Sequence, residues 1–264
     1  MIRESLSKRE AEVQNGFRLR GLKDVSRVEA LSDGVFAFAI TLLVVSLEVP
    51  RTFDELMVTM RGFIAFAITF AMLFHVWFVQ YKFFRRYGLN DNFVIWMTAL
   101  LLFVVLFYVY PLKFVWTLIF SQFTGAGGGY TAPDGVFVPA VRREQVWQMM
   151  AMMGAGFAAV FAVFTLLYQH AYRKRRELEL SELETFDTRS LMQENALNVA
   201  VGLLSVGIAV GGGRYAFLSG FSYWLIAPAQ FLHGSLRGRR RRKRFEEGEA
   251  RGPEVGLGVP GDWE

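Results

Sequence analysis

Six stretches of this chain are predominantly apolar over about 20 residues each, the length that crosses a hydrocarbon core, and charge falls between them. They run at about 30–49, 62–80, 93–120, 146–168, 196–213 and 215–232, with Pro111 near the outer end of the third. In lipid every backbone N–H and C=O needs a partner within the protein, so an apolar run of this length has to be a helix. The chain is therefore read as all-α, a polytopic membrane protein with six transmembrane helices. Composition agrees, with 53% of residues hydrophobic and a mean hydropathy of +0.29, both high for a soluble domain. The last two runs are joined through Gly211, Gly212, Gly213 and Arg214, a link short enough to make them an antiparallel hairpin.

Lysine and arginine set the expected orientation. They crowd residues 1–27, the loop with Lys82, Arg85 and Arg86, the loop from Arg173 to Arg189, and the run from Arg237 to Arg244. The alternate loops are poorer, with Arg51 and Arg61, then Arg142 and Arg143, then Arg214. All four basic regions fall on one side of an even number of spans, and the positive-inside rule puts them and both termini in the cytoplasm. The division this implies is a basic N-terminal segment over 1–26, a transmembrane domain over 27–232 and a basic, disordered tail over 233–264.

Several function classes lose support. Without cysteine the chain has neither disulfides nor thiolate metal sites. His75, His170 and His233 are far apart and carry no carboxylate at ligand spacing, so no cofactor and no enzymatic chemistry is expected. Gly125 to Gly129 lack the Gly-Lys-Ser/Thr ending of a phosphate loop, and the loop over 121–143 reads as a flexible external one. Residues 1–27 have no apolar core of a signal peptide. The net charge of +5 suits loops facing anionic lipid better than nucleic acid, for which no aromatic interleaving is present. The run from Arg237 to Arg244 is either an anionic-lipid contact or a topology anchor.

The first helix carries the most chemistry. Ser26 and Glu29 form a Ser-x-x-Glu capping box that starts it near Arg27, and Pro50 follows its end. Arg27, Glu29, Ser32 and Asp33 are then costly against lipid and should face a partner helix or water. Phe38, Leu42, Val45 and Val49 follow i, i+4, i+7, i+11 spacing, one helical stripe, with Thr41 beside it. Taken alone, such a stripe is more often a packing seam than a pore wall.

The run Arg27-x-x-x-Leu31-Ser32-Asp33, followed by the apolar helix through Leu43, resembles the first-helix signature of the transmembrane-protein-175 family of potassium channels. The resemblance implies a single six-helix repeat of the prokaryotic type that assembles as a homotetramer in the cell membrane, multi-pass, with potassium as the permeant ion. It also implies that the first helix of each subunit lines the pore. Carried over by position, Phe38, Leu42 and Val45 form the apolar constriction and Thr41 is a polar pore-lining residue. Arg27, Leu31, Ser32 and Asp33 belong to the signature and its packing network. Leu31 stands where the family usually has phenylalanine, and Phe38 where aliphatic residues are common. Trp77 is followed by Gln80 where many relatives have histidine.

A ring of these apolar side chains would gate by dewetting, and would favour potassium because it sheds water at lower cost than sodium. Asp33 has two roles open to it, drawing cations or pairing with Arg27, and the pairing is favoured because intramembrane charges need partners. Gly207-x-x-x-Gly211 reads as a close-packing motif within or between subunits. Glu194, Asn195 and Asn198 read as interfacial caps, and Lys113 as a snorkelling side chain. Two other classes stay open on the residues alone, a secondary carrier and a non-conducting scaffold.

Overall fold

The computed structural model describes residues 13–14, 17–21, 25–45, 51–124, 129–132 and 135–243. It consists of helices α1 (Arg27–Val45), α2 (Phe53–Arg61), α3 (Phe63–Tyr87), α4 (Asn92–Thr124), α5 (Val146–Arg173), α6 (Glu182–Gly211) and α7 (Ile226–Arg241), with a 3-10 stretch at Gly213–Leu225 before α7. Two small antiparallel hairpins complete it, β1 (Val13–Gln14) with β2 (Phe17–Arg18) and β3 (Gly129–Thr131) with β4 (Phe137–Pro139). Among the described residues four helical segments are long and apolar enough to cross a membrane: Phe63–Tyr87, Asn92–Ser121, Arg143–Arg173 and Glu182–Gly211.

Each boundary has a local cause. The Ser26 hydroxyl accepts the Glu29 amide at 3.1 Å, so α1 begins where its capping box predicts. Helix α2, which the apolar pattern does not reveal, is capped by Thr52, whose side chain accepts the Glu55 amide. Helix α3 ends at Gly88, where φ is 59° and the glycine amide returns to the Phe84 carbonyl. The Asp91 carboxylate caps α4 by accepting the Val94 amide at 3.0 Å.

Helix α6 departs most from expectation. It begins at Glu182 under a Ser181–Glu184 capping box, well before the apolar run at 196. Asn195 and Asn198 are therefore buried mid-helix groups and not interfacial caps. Asn195 donates to the Leu191 carbonyl, and Asn198 accepts from Gln230 at 3.0 Å.

The expected hairpin after α6 is present, although its return arm is not one continuous α-helix. The Ser205 hydroxyl donates to the Ser219 carbonyl, Gln230 reaches Asn198, and Arg241 lies 3.6 Å from Asp187, an antiparallel order. The tail expected to be disordered from 233 is instead helical through Arg241, and residues 244–264 lie outside the described ones. The loop expected to be flexible over 121–143 contains the β3–β4 hairpin; its Gly125–Gly128 part lies outside the described residues.

The core sits between α1, α3, α4 and α5, around Phe36, Phe83, Tyr87, Leu101, Phe164, Leu167 and Tyr168. Tyr168 meets Phe83 edge-on at 5.5 Å. Helices α5 and α6 approach closely at two glycines. A Cβ on Gly154 would lie 2.8 Å from the Val206 side chain, and one on Gly202 would lie 2.9 Å from the Ala158 Cβ. Gly207 and Gly211 have open space at that position, so the expected motif makes no close contact within the chain.

Candidate functional site: the first helix and its supports

Helix α1 has two nearly opposite faces. Ser32, Phe36, Ala39 and Leu43, at i, i+4, i+7, i+11, are buried where α1 packs on α3 and α4. Leu31, Gly34, Phe38 and Thr41 form the other face and are exposed, Phe38 at 58% and Leu31 at 61%. Of the residues read from the sequence as a stripe, Phe38 stands on that exposed face and Leu42 is half-buried at its edge; Thr41, read as lying beside the stripe, is exposed too. The side chains of Val45 and Val49 lie outside the described residues. The Thr41 hydroxyl donates to the Ala37 carbonyl at 2.9 Å, which satisfies its hydrogen and leaves the oxygen able to accept.

The signature residues are held from α3. The Trp77 indole Nε1 donates to Asp33 Oδ1 at 2.8 Å. One turn along, Gln80 Nε2 donates to Ser32 Oγ at 3.1 Å, and the Ser32 hydroxyl donates on to the Val28 carbonyl at 2.9 Å. Gln80 and Ser32 in this chain are buried, where each satisfied group gains from the low dielectric. Gln80 Oε1 is itself buried and finds no donor among the described residues. The expected pairing of Asp33 with Arg27 is not what the structure shows. Among the described residues Asp33 is bonded to Trp77, while Arg27 is exposed at the helix start. Glutamine at 80 keeps α1 and α3 hydrogen-bonded without a titrating ring.

Both ends of α1 are tied down by residues that helical periodicity does not reveal. At its C-terminal end Lys113 of α4 donates from Nζ to the Leu43 carbonyl at 3.2 Å, a cation at a helix C-terminus. Lys113 thus anchors α1 and does not merely snorkel. At the other end the segment preceding α1 docks on the core. Phe17 is buried edge-on against Tyr87 at 5.5 Å, and the Gly21 amide donates to the Arg85 carbonyl at 3.1 Å. A Cβ on Gly21 would lie 2.3 Å from the Phe84 carbonyl oxygen, so only glycine allows this approach.

The segment is then clamped to α6. Arg20 forks onto Glu184 at 3.0 and 2.9 Å, and the Arg18 amide donates to the same carboxylate at 2.7 Å. Arg20 also donates to the Leu178 and Glu179 carbonyls. A bidentate guanidinium–carboxylate pair fixes orientation as well as distance.

Outside the helices, Asp91 gathers the α4 and α5 ends. It accepts from His170 at 2.7 Å and Lys174 at 3.1 Å. Burial alone would raise its carboxyl, but hydrogen bonds from His170, the Val94 amide and Lys174 outweigh burial and hold it at about 2. Among the described residues no group of three His, Asp or Glu could hold a metal ion.

The chain is similar to known proteins over most of its length. Residues 27–108, from the start of α1 into α4, match the family model described as "Endosomal/lysosomal potassium channel TMEM175". A potassium channel of Marivirga tractuosa is 38% identical over 235 residues, covering 88% of this chain and 94% of that protein. A potassium channel of Chamaesiphon minutus is 30% identical, covering 79% of this chain and 91% of its own. The crystal structure of a variant of the potassium channel MtTMEM175, bound to a nanobody fusion protein, superposes with a TM-score of 0.73 at 37% identity. That match covers 86% of this chain and 99% of the other. By its signature, its helix order and these matches, the chain belongs to the TMEM175 family, a family of membrane channels and not of enzymes.

Proposed function

We propose that the chain is a potassium-selective or potassium-preferring channel of the cell membrane, a multi-pass homotetramer in which α1 of each subunit lines the pore. The reading is supported by the potassium-channel names of relatives that align over most of its length. The observation that carries the pore assignment is the unpartnered face of α1 bearing Leu31, Gly34, Phe38 and Thr41, opposite a face that is fully packed. Asp33 is exposed at the edge of that face, and a carboxylate is expensive against lipid, so this side favours water or a neighbouring subunit.

Four copies of the face around an axis would bring Phe38, Leu42 and Val45 together as an apolar constriction, with the Thr41 hydroxyls as the polar contribution. A ring of phenyl groups excludes water when narrow and conducts when widened. Potassium, which gives up its water more cheaply than sodium, is then the ion such a constriction admits. The proposed topology has six spans, the last made by the 3-10 stretch and the start of α7. The basic segment before 27 and the region beyond α7 are cytoplasmic.

The chain contains no cysteine, so single cysteines report on α1 without background. A thiol-reactive cation should block potassium flux through Phe38→Cys and Thr41→Cys and leave Phe36→Cys and Ala39→Cys conducting. Block at the buried pair alone would reverse the face assignment.

A further inference from the structure

A concentration of positive charge stands apart from α1. Arg175 and Arg176 just beyond α5, Arg189 on α6, and Arg237, Arg240 and Lys243 on and just beyond α7 surround an open cleft of about 960 Å³. Two carboxylates, Glu179 and Glu182, also line it, and Tyr172, Leu180 and Phe186 give it apolar walls. Three separate segments therefore converge on one space, and cations outnumber acids there.

Among the described residues none of the six cations is in an ion pair, although carboxylates are within reach of the same elements. Arg241, next to Arg240, lies 3.6 Å from Asp187, and Lys174, next to Arg175, pairs with Asp91 and Glu177. Two of the cleft guanidiniums, Arg237 and Arg175, are instead held by neutral groups. Arg237 lies 4.9 Å over the Phe186 ring and donates to Gln193 Oε1. Arg175 lies 4.9 Å over the Tyr172 ring and donates to the Tyr172 carbonyl at 3.2 Å. Burial, and then the charges of Arg189 and Arg240, hold the Arg237 guanidinium below its usual range. Such partners orient the planar forks while leaving their charge unneutralised, the arrangement that suits phosphate oxygens.

We propose that this cleft binds an anion carrying two or more clustered phosphates, either a lipid headgroup or a free polyphosphate. A single phosphate accepts two or three forks, whereas the cleft offers cations from three directions across a volume that a larger anion fills. Basic pockets at a membrane surface serve phosphate-rich headgroups in this way. The cleft wall also includes Glu179, whose carbonyl accepts from Arg20, so the cleft adjoins the loop that receives the segment before α1.

The test uses the full chain in phosphatidylcholine nanodiscs, with inorganic tripolyphosphate as the free probe and nanodiscs containing cardiolipin as the lipid probe. Saturable tripolyphosphate binding is expected, weakened about tenfold, one decade in Kd, by Arg189→Gln with Arg240→Gln. Arg239→Gln with Arg242→Gln removes the same charge from residues that do not line the cleft and should leave Kd within about twofold. Arg176→Gln supplies a second cleft variant away from the Arg237 contacts. Occlusion of tripolyphosphate by cardiolipin assigns the lipid headgroup as the occupant; binding indifferent to cardiolipin assigns the free anion, and either supports the site. No saturable binding to the unmodified chain, or equal weakening by both charge-removing pairs, would overturn it.

Discussion

Trp77 donates its indole N–H to the Asp33 carboxylate at 2.8 Å, so the acidic residue of the first-helix signature is held by α3 and not by its own helix. With the Gln80–Ser32 bond one turn away, this fixes how α1 is rotated, and therefore which of its faces stays uncovered.

Trp77→Phe keeps the aromatic packing but leaves Asp33 without its donor. A hydrogen bond to a charged group is worth about 2 kcal/mol, and thermal unfolding of the purified protein should fall accordingly. Gln80→His should preserve the link to Ser32 while making channel activity pH-dependent between about pH 5 and 8. An unchanged melting temperature in Trp77→Phe would mean that the contact does not hold the helix.

Glu184 is the anchor of the segment before α1, with a side chain 4% exposed and bonded to Arg20, the Arg18 amide and the Ser181 amide. Glu184→Ala leaves Arg20 unpaired and partly buried, at a cost of about 3 kcal/mol. Hydrogen exchange at the Arg18 and Ser181 amides should speed up together. Protection retained at Arg18 would show that Phe17 packing suffices.

The pH response of folding has a definite sign at Asp91. Its carboxyl, ordinarily at 3.8, is held at about 2, so the folded state favours the ionised form. Its contribution to stability is fully present above the ordinary value and is lost as pH falls through about 2. Asp91→Asn should flatten the acid side of a stability-versus-pH curve between those values and leave neutral behaviour alone apart from a constant offset. An unaltered acid limb would place that response elsewhere.

Gly202 and Gly207 should separate cleanly. Gly202→Val would push a side chain into the Ala158 backbone, where even a Cβ lies 2.9 Å from the neighbouring Cβ, and should prevent normal assembly. Gly207→Ala meets open space and should be tolerated by the subunit fold. Comparable expression and melting of both variants would contradict the α5–α6 packing.

Much of this architecture was readable from local pattern. The apolar runs locate α3, α4 and α5, and Ser26 with Glu29 locates the start of α1. Thr52 with Glu55, and Ser181 with Glu184, carry the same capping signal in less apolar surroundings, where hydropathy alone leaves α2 and the first turns of α6 out. Phe38 was legible as part of an apolar stripe, but periodicity is symmetric about the helix and does not tell packing from exposure. Trp77, Gln80 and Lys113 supply that distinction through contacts with a different helix. Glu184 was not legible because its partners lie 164 and 166 residues away, at Arg20 and Arg18. The Gly207 motif makes no close contact within the chain, because spacing that permits close approach does not by itself place a partner there.

The most direct measurement of the pore assignment is ion flux from liposomes holding the purified protein, under potassium and then sodium gradients, for the unmodified chain and for Phe38→Ala. The expected result is potassium flux exceeding sodium flux, with greater leak and a reduced preference once the phenyl ring is removed. Flux and preference identical in Phe38→Ala would contradict a constriction on this face of α1, and no ion flux from the unmodified chain would contradict the channel itself.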